Sequence, residues 1–134
     1  MNHKPVLQRD DVARILEHSR NEAFANKWAV TIAIVDDGGH LLALERLDGA
    51  APISATIATE KARTSALGRR ASSVYEEMIN TGRTSFLSAP MTALLEGGVP
   101  IVVEGQTVGA VGVSGVKSSE DAQIASAGAA SVAS

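Results

Sequence analysis

The chain has 134 residues, 45% of them hydrophobic and only 3% aromatic, with 12 Lys and Arg against 15 Asp and Glu and a net charge of -3. That length suits one domain, 1–134, with a core of Val, Ile, Leu and Ala. The composition lacks both the basic face of a general nucleic-acid binder and the aromatics that stack single strands.

There is no Cys, which excludes disulfides, iron–sulfur clusters, zinc ribbons and covalent haem attachment. No apolar run approaches the about 18 residues of a membrane span. The stretch MNHKPVLQRDD has no apolar core of a secretory signal. The expected location is therefore cytoplasmic.

Residues 10–26 read as a helix capped by Asp10, with Asp11 in its first turn. Val12, Ile15, Leu16, Ser19 and Ala23 form its inner face. His18 and Phe24 lie about 120° off that stripe, which for a Phe suggests a second packing surface. AVTIAIVD (29–36) and HLLALER (40–46) are paired strands, and Gly38-Gly39 supply the positive φ of a tight turn. Both strands are apolar on both faces, so the sheet should be covered on both sides.

Residues 51–68 form a second helix, with Pro52 at its start and Gly68 at its stop. A third helix spans 72–80, with Ser72 as cap and Gly82 past its end. Segment 83–98 reads as a loop followed by a short strand near 91–95. Residues 99–116 form a second hairpin turning on Glu104-Gly105. Gly109, Gly112 and Gly115 puncture its second strand, so something should pack close to that backbone. A last helix starts at Ser118, with Asp121 in its first turn. The order is helix, hairpin, two helices, three strands, helix. This suggests one antiparallel sheet with helices on its faces.

His40 follows the first turn and is a candidate iron ligand or proton shuttle; the simpler reading is a solvent-facing turn residue. His18 reads as an exposed polar-face residue, and no two His are spaced as a zinc helix needs. Arg46, Asp48, Glu60, Lys61 and Arg63 are the main charged set. Arg46 and Lys61 suit a carboxylate or phosphate. The alternative is internal pairing, Arg46 with Asp48 and Lys61 with Glu60 or Asp48. EGGVP (96–100) lacks the Lys-Ser/Thr of a P-loop, and GAVGVSG (109–115) ends a strand rather than opening a helix. Ser114 matches a nucleophile elbow only in part.

Taken together, the motifs resemble the GlcG/HbpS-like haem-binding family, which includes the C-terminal domain of PduO-type adenosyltransferases. The matching residues are Val35, Asp36, Gly38, Gly39, His40 and Leu41; then Arg46, Asp48, Gly49 and Ala50; then Lys61 and Ala62, with Glu60 where the family has Asp. Gly97 through Ile101, then Val108, Gly109, Ala110 and Gly112 through Gly115, then Glu120 and Asp121 complete the pattern. The resemblance covers nearly the whole chain, and departs most over 83–96.

The resemblance implies an α/β (α+β), profilin-like fold: a five-stranded antiparallel sheet with helices on both faces. It also implies a homo-oligomer, and a role in haem binding or as a companion of a catabolic operon. Under the haem reading His40 or His18 would ligate iron, and Arg46 and Lys61 would pair with propionates. The alternative is an enzyme acting on a small carboxylate metabolite. Lys61 or His40 would be its acid/base, Arg46 would hold the carboxylate, and Gly98 or Ser114 would offer backbone N–H groups. A ligand-free interaction module is the third reading. The candidate ligand-binding set is His40, Arg46, Asp48, Lys61, Gly98, Pro100 and Ser114.

Overall fold

The computed structural model describes residues 1–134. Helix α1 (Arg9–Ala25) leads into strands β1 (Thr31–Asp36) and β2 (Leu41–Arg46). Helices α2 (Ile53–Gly68) and α3 (Ser73–Asn80) and a 3-10 turn (Thr84–Ser88) follow. Strands β3 (Gly98–Val103) and β4 (Gln106–Ser114) and helix α4 (Ser118–Ala130) complete the chain. The sheet is antiparallel with order β2-β1-β4-β3.

The sheet therefore has four strands, not five, and the strand expected near 91–95 does not form. Ala93 has φ 52, which breaks an extended run. Side chains, not a neighbouring strand, bond two of this segment's carbonyls: Thr64 Oγ1 donates to Thr92 O at 2.7 Å and Ser72 Oγ to Leu95 O at 2.5 Å. Ser72 also accepts from Gly98 N at 2.8 Å, so its side chain does not cap α3. Gly68 likewise does not stop α2: Arg69 does, at φ 58. The glycine instead makes room for Tyr75, whose Oη would lie 2.3 Å from a Cβ there. Helix α1 starts one residue earlier than expected, and Asp11 closes its first turn by accepting from Gln8 N at 2.8 Å.

Both hairpins form where the turn residues place them. Asp36 Oδ1 accepts from the backbone N–H of Gly38 and of His40, each at 2.9 Å, and Gly39 sits at φ +81. In the second, Glu104 and Gly105 both have positive φ, 52 and 73, matching the twist of the strands they join. Pro100 lies on β3, an edge strand, where a missing N–H is tolerated.

Helices α1 and α4 cover one face of the sheet. Ile15, Ile32, Ile34, Ile101, Val111, Val113 and Ile124 are fully buried there. Each such side chain contributes roughly 1.5–3 kcal/mol over its exposed state. Helix α2 covers the other face through Ala58, Ala62 and Ala66, one helical turn apart, against Ala33, Val35 and Ala110. These small residues let α2 lie almost on the backbone of β4: a Cβ on Gly112 would be 2.1 Å from Ala58 O.

The covering stops short of β2. β1 is buried over Thr31–Val35, whereas Leu41, Leu42 and Leu44 of β2 are exposed. The expectation that both strands are covered holds for β1 only. Phe24, off its helix stripe, is exposed as the periodicity predicts.

Candidate functional site

Three places gather the residues singled out above. The first is the β1–β2 turn. Its two backbone hydrogen bonds bring Asp36 to the His40 ring, with Oδ1 3.1 Å from Nδ1. The imidazole is 80% exposed, and its Nε2 makes no hydrogen bond. Burial pushes the Asp36 pKa up, but the His40 and Gly38 N–H groups and the imidazole outweigh it and hold the carboxyl below its usual value. A carboxylate on Nδ1–H leaves Nε2 with its lone pair outward, the arrangement that metal-ligating His residues use.

Beside this turn lies an apolar shelf. Leu41 and Leu44 pair with Val35 and Ala33, so they face the α2 side of the sheet. They are 51% and 40% exposed, and Leu67 of α2 is 48% exposed. Helix α2 lies against the turn: a Cβ on Gly39 would be in ordinary van der Waals contact with Leu67 Cγ at 3.5 Å and Arg63 Cγ at 3.6 Å. Arg63 pairs with Glu60 at 3.2 Å. Asp37 is held by Lys4 at 2.9 Å and faces Arg69 at 3.9 Å. The hydrogen bond from Lys4 and the charges of Lys4 and Arg69 lower its pKa against an opposing effect of burial. The rim of the shelf thus carries guanidinium groups.

The second place is buried. Lys61 of α2 reaches past the ends of β3 and β4. Its Nζ donates to Val113 O at 3.0 Å and to Asp121 Oδ2 at 3.1 Å. Asp121 Oδ1 accepts from Val116 N at 3.2 Å. Burial dominates the Asp121 pKa and raises it, although Lys61 pulls the other way. Two glycines make room: a Cβ on Gly97 would be 2.7 Å from Lys61 Nζ, and one on Gly98 would be 2.3 Å from Lys61 O. Lys61 pairs with neither Glu60 nor Asp48. Glu60 holds Arg63 and Thr92 instead.

Lys61 and Arg46 are not brought together within the chain. Lys61 is enclosed, while Arg46 is exposed. His40 and Arg46 flank β2 at opposite ends, roughly 20 Å apart at strand rise. The N–H of Gly98 is spent on Ser72. Ser114 is buried and in register with Thr31. His18 is exposed on α1 and bonds to nothing.

The third place is a cleft of about 510 Å³ between the end of α1 and the end of β2. It holds Arg46 and Asp48 together with Phe24, Lys27 and Trp28. Sequence reasoning missed Lys27, Trp28 and the partnership of Lys61 with Asp121. No group of three or more His, Cys, Asp or Glu side chains could hold a bare metal ion. An iron here would need a macrocycle for its other ligands.

The fold defines a small α+β class: one four-stranded antiparallel sheet, helices on both faces, polar groups at the strand ends. Residues 7–130 match the family model described as Haem degrading protein HbpS-like, and the chain belongs to that family. It is 56% identical over 114 residues to Protein GlcG of Escherichia coli (strain K12), covering 85% of each chain. Its backbone superposes on the crystal structure of a double mutant of Streptomyces reticuli HbpS with a TM-score of 0.89 at 28% identity, covering 100% of this chain and 92% of the other. The crystal structure of a PduOC:heme complex shares the fold, with a TM-score of 0.84 at 22% identity over 96% of each chain. No helix is long and apolar enough to cross a membrane.

Proposed function

We propose that this chain binds haem on the leucine shelf, with His40 Nε2 as the iron ligand. The observation that carries the reading is the Asp36–His40 contact, which fixes the ring with its outer nitrogen free. Leu41, Leu44 and Leu67 offer apolar surface for a flat macrocycle, and Arg63 and Arg69 at the rim suit propionates. The family description and the haem-bound neighbour support the same ligand. Bound haem would supply a redox-active iron; the protein's own contribution is to orient the imidazole and to shield one face of the ring.

His40 is preferred to His18, because the His18 ring has no carboxylate to orient it. Arg63 and Arg69 take the propionate role first assigned to Arg46 and Lys61. Lys61 is sealed by Asp121 and Val113, which disfavours it as an acid/base and disfavours the enzyme reading built on it.

The shelf is open on its outer side, and exposed Leu41, Leu44, Ile53 and Leu67 leave apolar surface. We read the chain as a homo-oligomer in which a second copy covers part of that surface. A chain without Cys is compatible with a reducing cytoplasm.

Haemin titration followed in the visible tests the reading. A Soret shift that saturates at one haemin per chain is expected. A featureless, non-saturating increase in absorbance would refute it.

A further inference from the structure

The cleft between α1 and β2 is separate from the shelf, and the haem reading does not use it. Its lining is unusual for this chain. Trp28 and Phe24 are two of its few aromatic residues, and both are here. Two cations, Lys27 and Arg46, line the same cleft, and their side chains make no hydrogen bond or ion pair with the rest of the chain. Glu45 is already neutralised by Arg20, with Arg20 Nε 2.6 Å from Glu45 Oε1. Asp48 is exposed and unpaired.

Lys27 adds an independent observation. Helix α1 ends in a reversal in which Trp28 N donates to Ala23 O at 2.9 Å and Lys27 N to Phe24 O at 3.1 Å. Lys27 takes the left-handed conformation at φ 58, a position where Gly is preferred and a side chain is strained. Arg69 occupies the same kind of position after α2, but its side chain bonds Ala66 O and Asp37 O. Lys27 has no such bond. Its side chain stands at a strained position and is free beside the cleft.

We infer that this cleft binds a small planar carboxylate, an aromatic acid in chemical class. Arg46 and Lys27 hold the carboxylate, Phe24 and Trp28 take the faces of the ring, and Asp48 accepts a hydrogen bond from a ring hydroxyl where the ligand has one. The cleft volume of about 510 Å³ falls within the roughly 300–1,000 Å³ of small-molecule sites. Aromatic walls with a few placed charges are the usual make-up of such sites, and a guanidinium matches a carboxylate in two-pronged geometry. The inference concerns binding alone and stands or falls apart from haem.

Trp28 is the only Trp, so its fluorescence reads this cleft directly. The full chain is titrated with benzoate, benzamide and acetate. Benzoate should give a saturable change with a Kd of about 1 mM or below. Benzamide, which lacks the charge, and acetate, which lacks the ring, should each bind about tenfold more weakly or not at all. Arg46→Gln should weaken benzoate about tenfold. Lys27→Gly should weaken it comparably while the melting temperature stays level or rises, because Gly suits the left-handed position. No saturable response to benzoate, equal binding of benzamide, or wild-type affinity in both variants would overturn the inference. So would a cleft sealed by self-association and closed to benzoate.

Discussion

The Lys61 ammonium lies 3.1 Å from the Asp121 carboxylate, and the two side chains are only 4% and 3% exposed. The contact joins α2 to the first turn of α4, past the ends of the strands between them. Removing one partner leaves a buried charge unpaired, which costs about 3–5 kcal/mol. Lys61→Met and Asp121→Leu should each lower stability on that scale in denaturant unfolding. The double variant should lose clearly less than the sum of the two, because neither charge is then stranded. Additive losses would show that the pair is not coupled.

Gly112 is the second point of tight fit. A Cβ there would be 2.1 Å from Ala58 O and 2.5 Å from Ala62 N, so α2 must move to admit any side chain. Gly112→Val should cost at least about 1–3 kcal/mol, seen as a lower melting temperature. Gly105 has no atom within 4 Å of its Cβ position and serves as comparison, although its positive φ adds strain of its own. An unchanged melting temperature in Gly112→Val would contradict the close approach of α2.

How much of this was legible before the structure depends on range along the chain. The turns at Gly38-Gly39 and Glu104-Gly105 follow from local backbone chemistry, and so does the close approach at Gly112, since glycines recurring in one strand need a cause. The Lys61–Asp121 pair spans 60 positions, and spacing arguments reach only near neighbours such as Glu60. Segment 91–95 looks strand-like, but its Thr92 and Leu95 carbonyls go to Thr64 and Ser72 rather than to a neighbouring strand. Strand β2 is as apolar as β1. Periodicity cannot say that it lies at an edge that the helices cover only in part. Of the site, the sequence pointed to His40, Arg46 and Asp48 but not to their separation along β2.

Acid stability follows from the carboxylates of the first turn. Asp36 and Asp37 have pKa values below the ordinary one. The unfolded chain therefore binds protons more readily, and stability rises with pH through the carboxylate range. Their contribution is present above the unfolded value of about 3.9 and is lost as pH falls through the lowered folded values. Asp121 has the opposite sign, since its raised pKa makes its contribution decline as pH climbs through the raised value. Unfolding of Asp36→Asn, followed between about pH 2 and pH 5, should show a flatter acid limb than the native chain. An acid limb identical to the native one would contradict the assignment.

The exposed leucines of β2 predict self-association. Light scattering at micromolar concentration should give a mass that is a multiple of 13.8 kDa. Leu41→Lys together with Leu44→Lys should shift the population toward smaller species if β2 lies in the contact. A monomer mass for the native chain would contradict the expectation.

The most direct test of the central claim is rescue of the iron ligand. Haemin-loaded wild-type protein should show a Soret position and ligand-field spectrum of histidine-bound iron. His40→Gly should lose that spectrum, and free imidazole should restore it by filling the space the side chain vacates. Asp36→Asn should keep haem bound, with the spectrum shifted toward weaker donation from the ring. A His40→Gly variant that retains the wild-type spectrum with no imidazole added would contradict the account.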